Sequence, residues 1–284
     1  MLVQFQVVLQ GVATGSLYGV LALGLQLILG STGKVHLGVG QLAVVAALAS
    51  VELSQTYGSY PLPYALGGAL FLGLISVLAH PPAFWRLLSH GHAERSILLI
   101  TLGGAMSLEG LTQWVWPLPL TALPVSGEIF SQAELIPFPK TKAMAFLGSL
   151  GISAFLWGIL RWSRRGKALR AWNMGAEELR LVGIDPTGLG KWVTSMGLAT
   201  VGVGGVLLGA TQVVTVQDGL GWTIKALCLA VLGRGLSPLR TMGLGWAMGG
   251  GEALVSYWLG AQWHPLLAPG LLFLVLSSRN RRLQ

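Results

Sequence analysis

Long runs of residues without a single charge recur along this chain, and they restrict its possible folds more than any other feature. Residues 5–29 and 192–217 contain no Asp, Glu, Lys or Arg, and residues 62–79 and 143–160 are also uncharged. A helix needs about 20 mostly apolar residues to cross a bilayer. The runs lack the alternating polarity of barrel strands, and a backbone in hydrocarbon must satisfy its own hydrogen bonds. The sequence therefore predicts membrane-spanning helices.

The low charge content extends this prediction to the whole chain. Only 10% of the residues are charged, whereas a soluble domain carries about 25%. We predict a single domain, residues 1–284, with an all-α integral membrane fold of about eight or nine transmembrane helices. The segment at 224–233 is too short to cross as a regular helix. The predicted spans are 4–29, 37–54, 62–80, 96–118, 143–160, 192–217, 224–233, 241–262 and 265–278.

The positions of the basic residues predict the orientation. If the loops near 30–36, 81–95, 161–191 and 234–240 share a side with the C-terminal tail, that side holds 15 of the 18 Lys and Arg residues. Basic loops stay in the cytoplasm, so the C-terminus is expected there and the N-terminus outside. The net charge of +8 is then a topology signal, and no nucleic-acid partner is expected.

Glycines are repeated at helical spacing within the predicted spans. The chain has 41 glycines, about twice the usual fraction. Small residues four apart allow helix backbones to approach closely in lipid. Close packing is the simpler interpretation, and sliding of helices during transport is the functional one. The repeats are Gly11, Gly15 and Gly19, then Gly205 and Gly209, then Gly245 and Gly249.

Polar side chains inside apolar runs are candidates for a translocation path. Glu109 and Glu252 are carboxylates within predicted spans, where an ionised group is costly and marks a functional site by default. Each either lines a wet path or pairs with Lys225, or else makes a structural hydrogen bond between helices. Some of the span glutamines must face the protein interior, because hydrocarbon leaves their amides unpaired. The predicted path residues are Glu109, Gln113, Gln212 and Glu252.

The loop at 161–191 contains a predicted short amphipathic helix. It carries seven basic and three acidic residues. Residues 176–182 are good helix formers, with Gly175 as a possible N-cap and Gly183 as the residue after the last turn. Such a cytoplasmic helix either lies on the membrane surface or inserts into a groove on a partner protein.

The segment RAWNMGAEELRLVGID, from Arg170, resembles the coupling helix of ABC transporter permeases of the branched-chain amino-acid class. GSLYGVLALGLQLILG at 15–30, TLGGAMSLEG at 101–110 and the glycine-rich block at 219–254 resemble other parts of that family in the same order. Residues 36–40 read HLGVG, where the family usually has Asn-Phe-Ala-His-Gly. That departure leaves the substrate and the subfamily open.

The resemblance implies a permease subunit of an ATP-driven importer in a bacterial-type inner membrane, with branched-chain or related amino acids as solutes. It also implies separate cytoplasmic ATPase subunits, a second permease of the same or a homologous kind, and an extracytoplasmic solute-binding protein. The chain itself is then not an enzyme and needs no cofactor. The implied ATPase-docking residues are Gly175, Ala176, Glu177, Glu178, Leu179, Arg180, Leu181 and Gly183.

Other classes of function have less support. A stand-alone ion-coupled transporter or channel, using Glu109 or Glu252, would typically show an internal repeat, and we find no convincing one. A membrane enzyme lacks clustered catalytic residues. The sequence GLGKW at 188–192 does not fit the P-loop pattern. His90, His92 and Glu94 are interpreted as a solvated loop rather than a metal site, and the single Cys228 as a packing residue.

Overall fold

The computed structural model describes residues 2–57, 67, 93–117, 139–172, 183–233 and 237–280. Over these ranges the regular structure is helical and contains no β-strand, which confirms the all-α membrane prediction. A 3₁₀ helix, Ala261–Leu266, joins the last two α-helices. The α-helices are α1 (Leu2–Thr32), α2 (Val39–Tyr57), α3 (Ala93–Val115), α4 (Lys140–Trp162), α5 (Arg164–Trp172), α6 (Pro186–Thr211), α7 (Asp218–Gly233), α8 (Pro238–Leu259) and α9 (Leu267–Asn280).

Three of the described helices are long and apolar enough to cross a membrane by themselves. They are Val3–Thr32, Thr141–Trp162 and Gly188–Thr211. The helix at the predicted span 224–233 is longer than predicted, because α7 begins at Asp218. The predicted span at 62–80 falls almost wholly outside the described residues, so the predicted number of crossings stays a prediction.

Helix α1 is the centre of the bundle. It packs against α4, α6, α7 and α8, and Leu17, Leu21 and Leu25 are each at most 1% exposed. A helix that is apolar on every face is either enclosed by other helices or faces lipid. Helix α4 is equally apolar but far less buried than α1, so the central position of α1 follows from its packing and not from its hydrophobicity alone.

Glycine contacts fix how α1 meets α8. A Cβ atom on Gly11 would lie 2.5 Å from the carbonyl oxygen of Gly249, and one on Gly249 would lie 2.5 Å from the Cα of Gly15. Gly15 in turn contacts the carbonyl oxygen of Gly245. The two backbones touch with no side chain between them, which confirms the predicted close packing. Residue numbers rise along α1 as they fall along α8, so the two helices are antiparallel.

Helix α6 uses the same kind of contact on two sides. A Cβ on Gly197 would lie 2.7 Å from the carbonyl oxygen of Gly24 on α1. On α2, Gly205 contacts Ala43 and Gly209 approaches Ala47. Helix α6 is therefore antiparallel to α1 and parallel to α2. These relative directions agree with the alternation predicted from the sequence.

Two span glutamines bond across helices in the interior, as predicted. Gln26 and Gln41 are 5% and 3% exposed. The amide of Gln26 donates to the carbonyl oxygen of Ala230 and accepts from the hydroxyl of Thr241 at 3.0 Å. The amide of Gln41 donates to the carbonyl oxygen of Val216. These bonds connect α1 with α7 and α8, and α2 with the segment before α7.

Candidate functional site

Three buried polar side chains from three helices meet inside the bundle. Tyr18 of α1, Lys225 of α7 and Glu252 of α8 are each at most 7% exposed. The Nζ atom of Lys225 lies 2.9 Å from Oε2 of Glu252 and donates to the Tyr18 hydroxyl at 3.2 Å. It also lies 4.3 Å from the centroid of the Tyr18 ring. We call these three residues the buried triad.

The buried triad compensates charges that the surrounding apolar helices cannot solvate. A buried ion needs both an opposite charge and hydrogen bonds to offset its lost hydration. Lys225 obtains the charge from Glu252 and a further contact from the hydroxyl and ring face of Tyr18. Each partner comes from a different helix, so the triad fixes α1, α7 and α8 relative to one another.

A cavity of about 410 Å³ reaches the buried triad at Tyr18 and Glu252. This volume is within the range of about 300–1,000 Å³ found for small-molecule sites. Its lining combines a carboxylate, an ammonium, amides and hydroxyls with apolar groups. The lining residues are Val7, Gln10, Gly11, Thr14, Tyr18, Lys142, Gln212, Gly249, Glu252, Ala253, Ser256 and Tyr257.

The cavity lies toward one end of the bundle. Gln10 is near the start of α1, Lys142 is in the first turn of α4, Gln212 directly follows α6, and Tyr257 is near the end of α8. Given the antiparallel packing, these four positions belong to the same end. The Nζ atom of Lys142 donates to Oε1 of Gln10 at 3.2 Å. An ammonium group is thus held over one part of the cavity, while Glu252 lies in another.

The structure brings together two of the four predicted path residues. Gln212 and Glu252 line the same cavity, and Glu252 pairs with Lys225, one of the arrangements expected from the sequence. Glu109 and Gln113 lie on α3, which packs against α2, and neither lines this cavity. Gln113 is exposed and donates weakly to the carbonyl oxygen of Pro117 at 3.5 Å.

Sequence reasoning missed Tyr18 and the contribution of Lys142 to the cavity. Tyr18 lies between Gly15 and Gly19 in an apolar run, and its only signal is that a phenolic hydroxyl in a span needs a partner. The predicted span 143–160 leaves Lys142 outside it, in the preceding loop. Its ammonium group reaches the cavity because α4 begins at Lys140 and packs against α1.

Several other predicted features lie partly or wholly outside the described residues. The docking residues from Gly175 to Leu181 are among them, as are His90 and His92. Gly183 has φ of 78°, the left-handed conformation typical of a glycine after a helix end. Cys228 is fully buried, which confirms its predicted packing role. In the described part of the chain, no three His, Cys, Asp or Glu side chains form a metal-binding group.

Comparison with known proteins gives matches along almost the whole chain. The family model described as branched-chain amino acid transport system / permease component matches residues 7–276. The high-affinity branched-chain amino acid transport system permease protein BraD of Pseudomonas aeruginosa is 26% identical, covering 96% of this chain and 93% of that protein. The LivH permease proteins of Salmonella typhimurium and Escherichia coli K12 are each 26% identical, covering 95% of this chain and 92% of theirs. No solved structure matches significantly.

Proposed function

This chain belongs to the permease components of the branched-chain amino acid transport systems, and from that membership we propose that it translocates branched-chain or related amino acids as part of an ABC importer. The match over residues 7–276 carries the proposal, because it reaches every α-helix that the structure describes. The chain is a multi-pass protein of a bacterial-type inner membrane, with its N-terminus outside and its C-terminus in the cytoplasm. It is a transport subunit rather than an enzyme.

The cavity forms part of the solute path in this proposal. A free amino acid carries an ammonium and a carboxylate, and the lining includes the carboxylate of Glu252, which also pairs with Lys225, and the ammonium of Lys142. Gln212 and Ser256 add neutral hydrogen-bonding groups. Such a lining presents groups of both signs to a zwitterionic solute. The lining itself has no strong net charge that would hold the solute back. Glu109 and Gln113, on α3, do not line this part of the path.

Energy for transport comes from separate chains. Two cytoplasmic ATPase subunits dock on the segment from Gly175 to Gly183, and their ATP-driven closure moves the spans between outward-open and inward-open states. A second permease, either a copy of this chain or a homologue, completes the path. A soluble binding protein delivers the solute from outside. The resemblance of RAWNMGAEELRLVGID to a coupling helix supports the docking segment.

We expect the double substitution Glu178→Lys, Leu179→Asp to remove a co-purifying ATPase. The substitution reverses a charge and places a carboxylate on the apolar side of the proposed docking helix, where it would be desolvated in the interface. Tagged protein is purified from native membranes in mild detergent, and its companions are identified by mass spectrometry. Lys167→Asp, an exposed change on α5 outside the segment, is the control and should retain the ATPase.

A different outcome would contradict the importer. If the chain purifies alone and moves solute in liposomes under an ion gradient, it is a stand-alone secondary transporter. The carboxylates Glu109 and Glu252 then become the candidates for its coupling-ion site.

Gln212→Leu is expected to slow uptake by the assembled transporter about tenfold, because a charged solute loses one hydrogen-bonding partner in the path. The measurement is leucine uptake into vesicles at saturating binding protein, so that delivery of solute does not limit the rate. Gln217→Leu is the matched control: Gln217 lies in the same connection between α6 and α7 but is exposed and outside the cavity lining. Equal rates for the two variants would remove the cavity from the path.

A further inference from the structure

A second concave site lies at the end of the bundle opposite the cavity, where α4 ends and α6 begins. We call it the basic groove; its volume is about 440 Å³. Its rim carries two guanidinium groups and one carboxylate, and its floor is largely apolar. The lining residues are Arg164, Arg165, Ala168, Ile184, Asp185, Gly188, Leu189 and Trp192.

The wall of the basic groove formed by α5 is held firmly against the bundle. The Ser163 hydroxyl oxygen accepts from the backbone N–H of Gly166 at 2.9 Å and caps the first turn of this helix. A Cβ on Gly166 would lie 2.6 Å from the Cα of Leu160, so α5 folds back directly on the end of α4. Leu169 is fully buried in a cluster that includes Val193 of α6. The charged side of α5 is therefore presented in a fixed position.

The charges of the basic groove favour an anion. Arg164 and Arg165 are exposed, and the Cζ atom of Arg165 lies 5.3 Å from the Trp192 ring centroid. Residues 161–172 and 183–192 together carry six basic side chains and one acidic one, Asp185. The Oδ2 atom of Asp185 accepts from the backbone N–H of Gly188 at 2.9 Å. Guanidinium groups match phosphate oxygens through paired hydrogen bonds.

The basic groove lies where two spans would leave the hydrocarbon of the membrane. The apolar spans Thr141–Trp162 and Gly188–Thr211 end and begin beside it. Trp162 is 71% exposed at the same level, and tryptophan is enriched where a span leaves the hydrocarbon. Ala168, Leu189 and Trp192 give the floor an apolar surface. Guanidinium groups above an apolar floor match the two parts of a phospholipid.

We propose that the basic groove binds an anionic phospholipid, with the phosphate on Arg164 and Arg165 and an acyl chain along the apolar floor. Pockets of this kind between spans hold acidic headgroups on the basic side of membrane proteins. A protein partner is the less favoured occupant, because the floor adjoins the ends of two spans. The proposed ATPase dock, Gly175 to Gly183, directly precedes Ile184 and Asp185 of the groove lining, so the test below also follows the co-purifying ATPase. The proposal does not depend on which solute is transported.

The test compares lipid binding by matched pairs of variants. Purified full-length protein in detergent at 0.15 M salt is titrated with dioleoyl phosphatidylglycerol or dioleoyl phosphatidylcholine, and bound lipid is counted by native mass spectrometry. Arg164→Ala, Arg165→Ala should weaken phosphatidylglycerol binding about tenfold or more. Lys167→Ala, Arg170→Ala removes the same charge from the same helix outside the groove, and it should change binding less than about twofold.

Three results would overturn the proposal. The first is equal weakening by the two variant pairs, which would indicate general electrostatic attraction. The second is displacement of the lipid by inorganic phosphate or glycerol phosphate alone, which would indicate a site for a free anion. The third is unchanged lipid binding in Arg164→Ala, Arg165→Ala, with or without loss of a co-purifying ATPase. If that pair does not fold, Arg165→Gln alone should weaken phosphatidylglycerol binding about fivefold. An unchanged preference of this variant for phosphatidylglycerol over phosphatidylcholine would likewise overturn the proposal.

Discussion

Replacing Lys225 with methionine is expected to lower the free energy of unfolding by about 3–5 kcal/mol, because it leaves Glu252 as an uncompensated buried charge. Lys225 is 7% exposed and lies 2.9 Å from the Glu252 carboxylate. Methionine keeps most of the side-chain length, so the change removes charge and hydrogen bonds rather than volume. Stability is measured in mixed micelles as the midpoint of unfolding by a denaturing detergent.

Two comparisons separate the lost ion pair from a general effect of removing a lysine. Lys191→Met, at an exposed position in the second turn of α6, should change stability by less than about 0.5 kcal/mol. Adding Glu252→Leu to Lys225→Met should restore much of the loss, since no unpaired charge then remains. If the effects of the single substitutions simply add, the two side chains are not coupled and the buried triad has been misinterpreted.

Gly249→Ala is expected to destabilise the protein by about 1–3 kcal/mol or to prevent folding, because overpacked interiors tolerate added atoms poorly. The new Cβ atom would lie 2.5 Å from the Cα of Gly15 and would also meet the backbone of Gly11. Both neighbours are backbone of the central helix, so neither can move aside as a flexible side chain would. The yield of monodisperse protein and the unfolding midpoint give the measurement.

Gly243→Ala on the same helix is the matched control for Gly249→Ala. Apart from the neighbouring residues and nearby backbone of its own helix, no atom lies within 4 Å of the Cβ that this change would add. Alanine also favours a helix over glycine by about 1 kcal/mol. The two identical substitutions should therefore change stability in opposite directions. Destabilisation by both would indicate that the helix rather than the interface is sensitive, and would contradict the packing argument.

The sequence predicted most of the helical elements because hydrocarbon imposes a simple rule on composition. Apolar runs identified α1, α4 and α6, each long enough to cross a membrane. The predicted start of α7 was wrong, because a prediction from hydropathy counts apolar residues and ignores a polar first turn. This helix begins at Asp218, whose Oδ2 atom accepts from the backbone N–H of Thr215 at 2.7 Å. That local bond organises the turn and has no counterpart in hydropathy.

The candidate site was predictable only in part, because sequence shows which polar residues lie in spans and not which way they face. Glu252, Gln212, Glu109 and Gln113 all met the same criterion. Packing separates them: α8 meets the central helix and brings Glu252 to Lys225, whereas α3 packs against α2 and leaves Gln113 exposed. Tyr18 lies beside the glycine contact between α1 and α8. Its phenolic hydroxyl signals that it needs a partner, but not which helix supplies that partner.

The backbone contact between α1 and α8 also limits how related sequences can diverge. At this contact, a side chain on any one glycine would overlap the backbone of the facing helix. The glycines are Gly11, Gly15, Gly245 and Gly249. In a relative with a larger residue at one of these positions, α1 and α8 would have to lie farther apart along their whole contact. Larger residues would then fit at the other three positions as well. We therefore expect these four positions to covary as a group, so that substitutions among them record the distance between two helices rather than the identity of the solute.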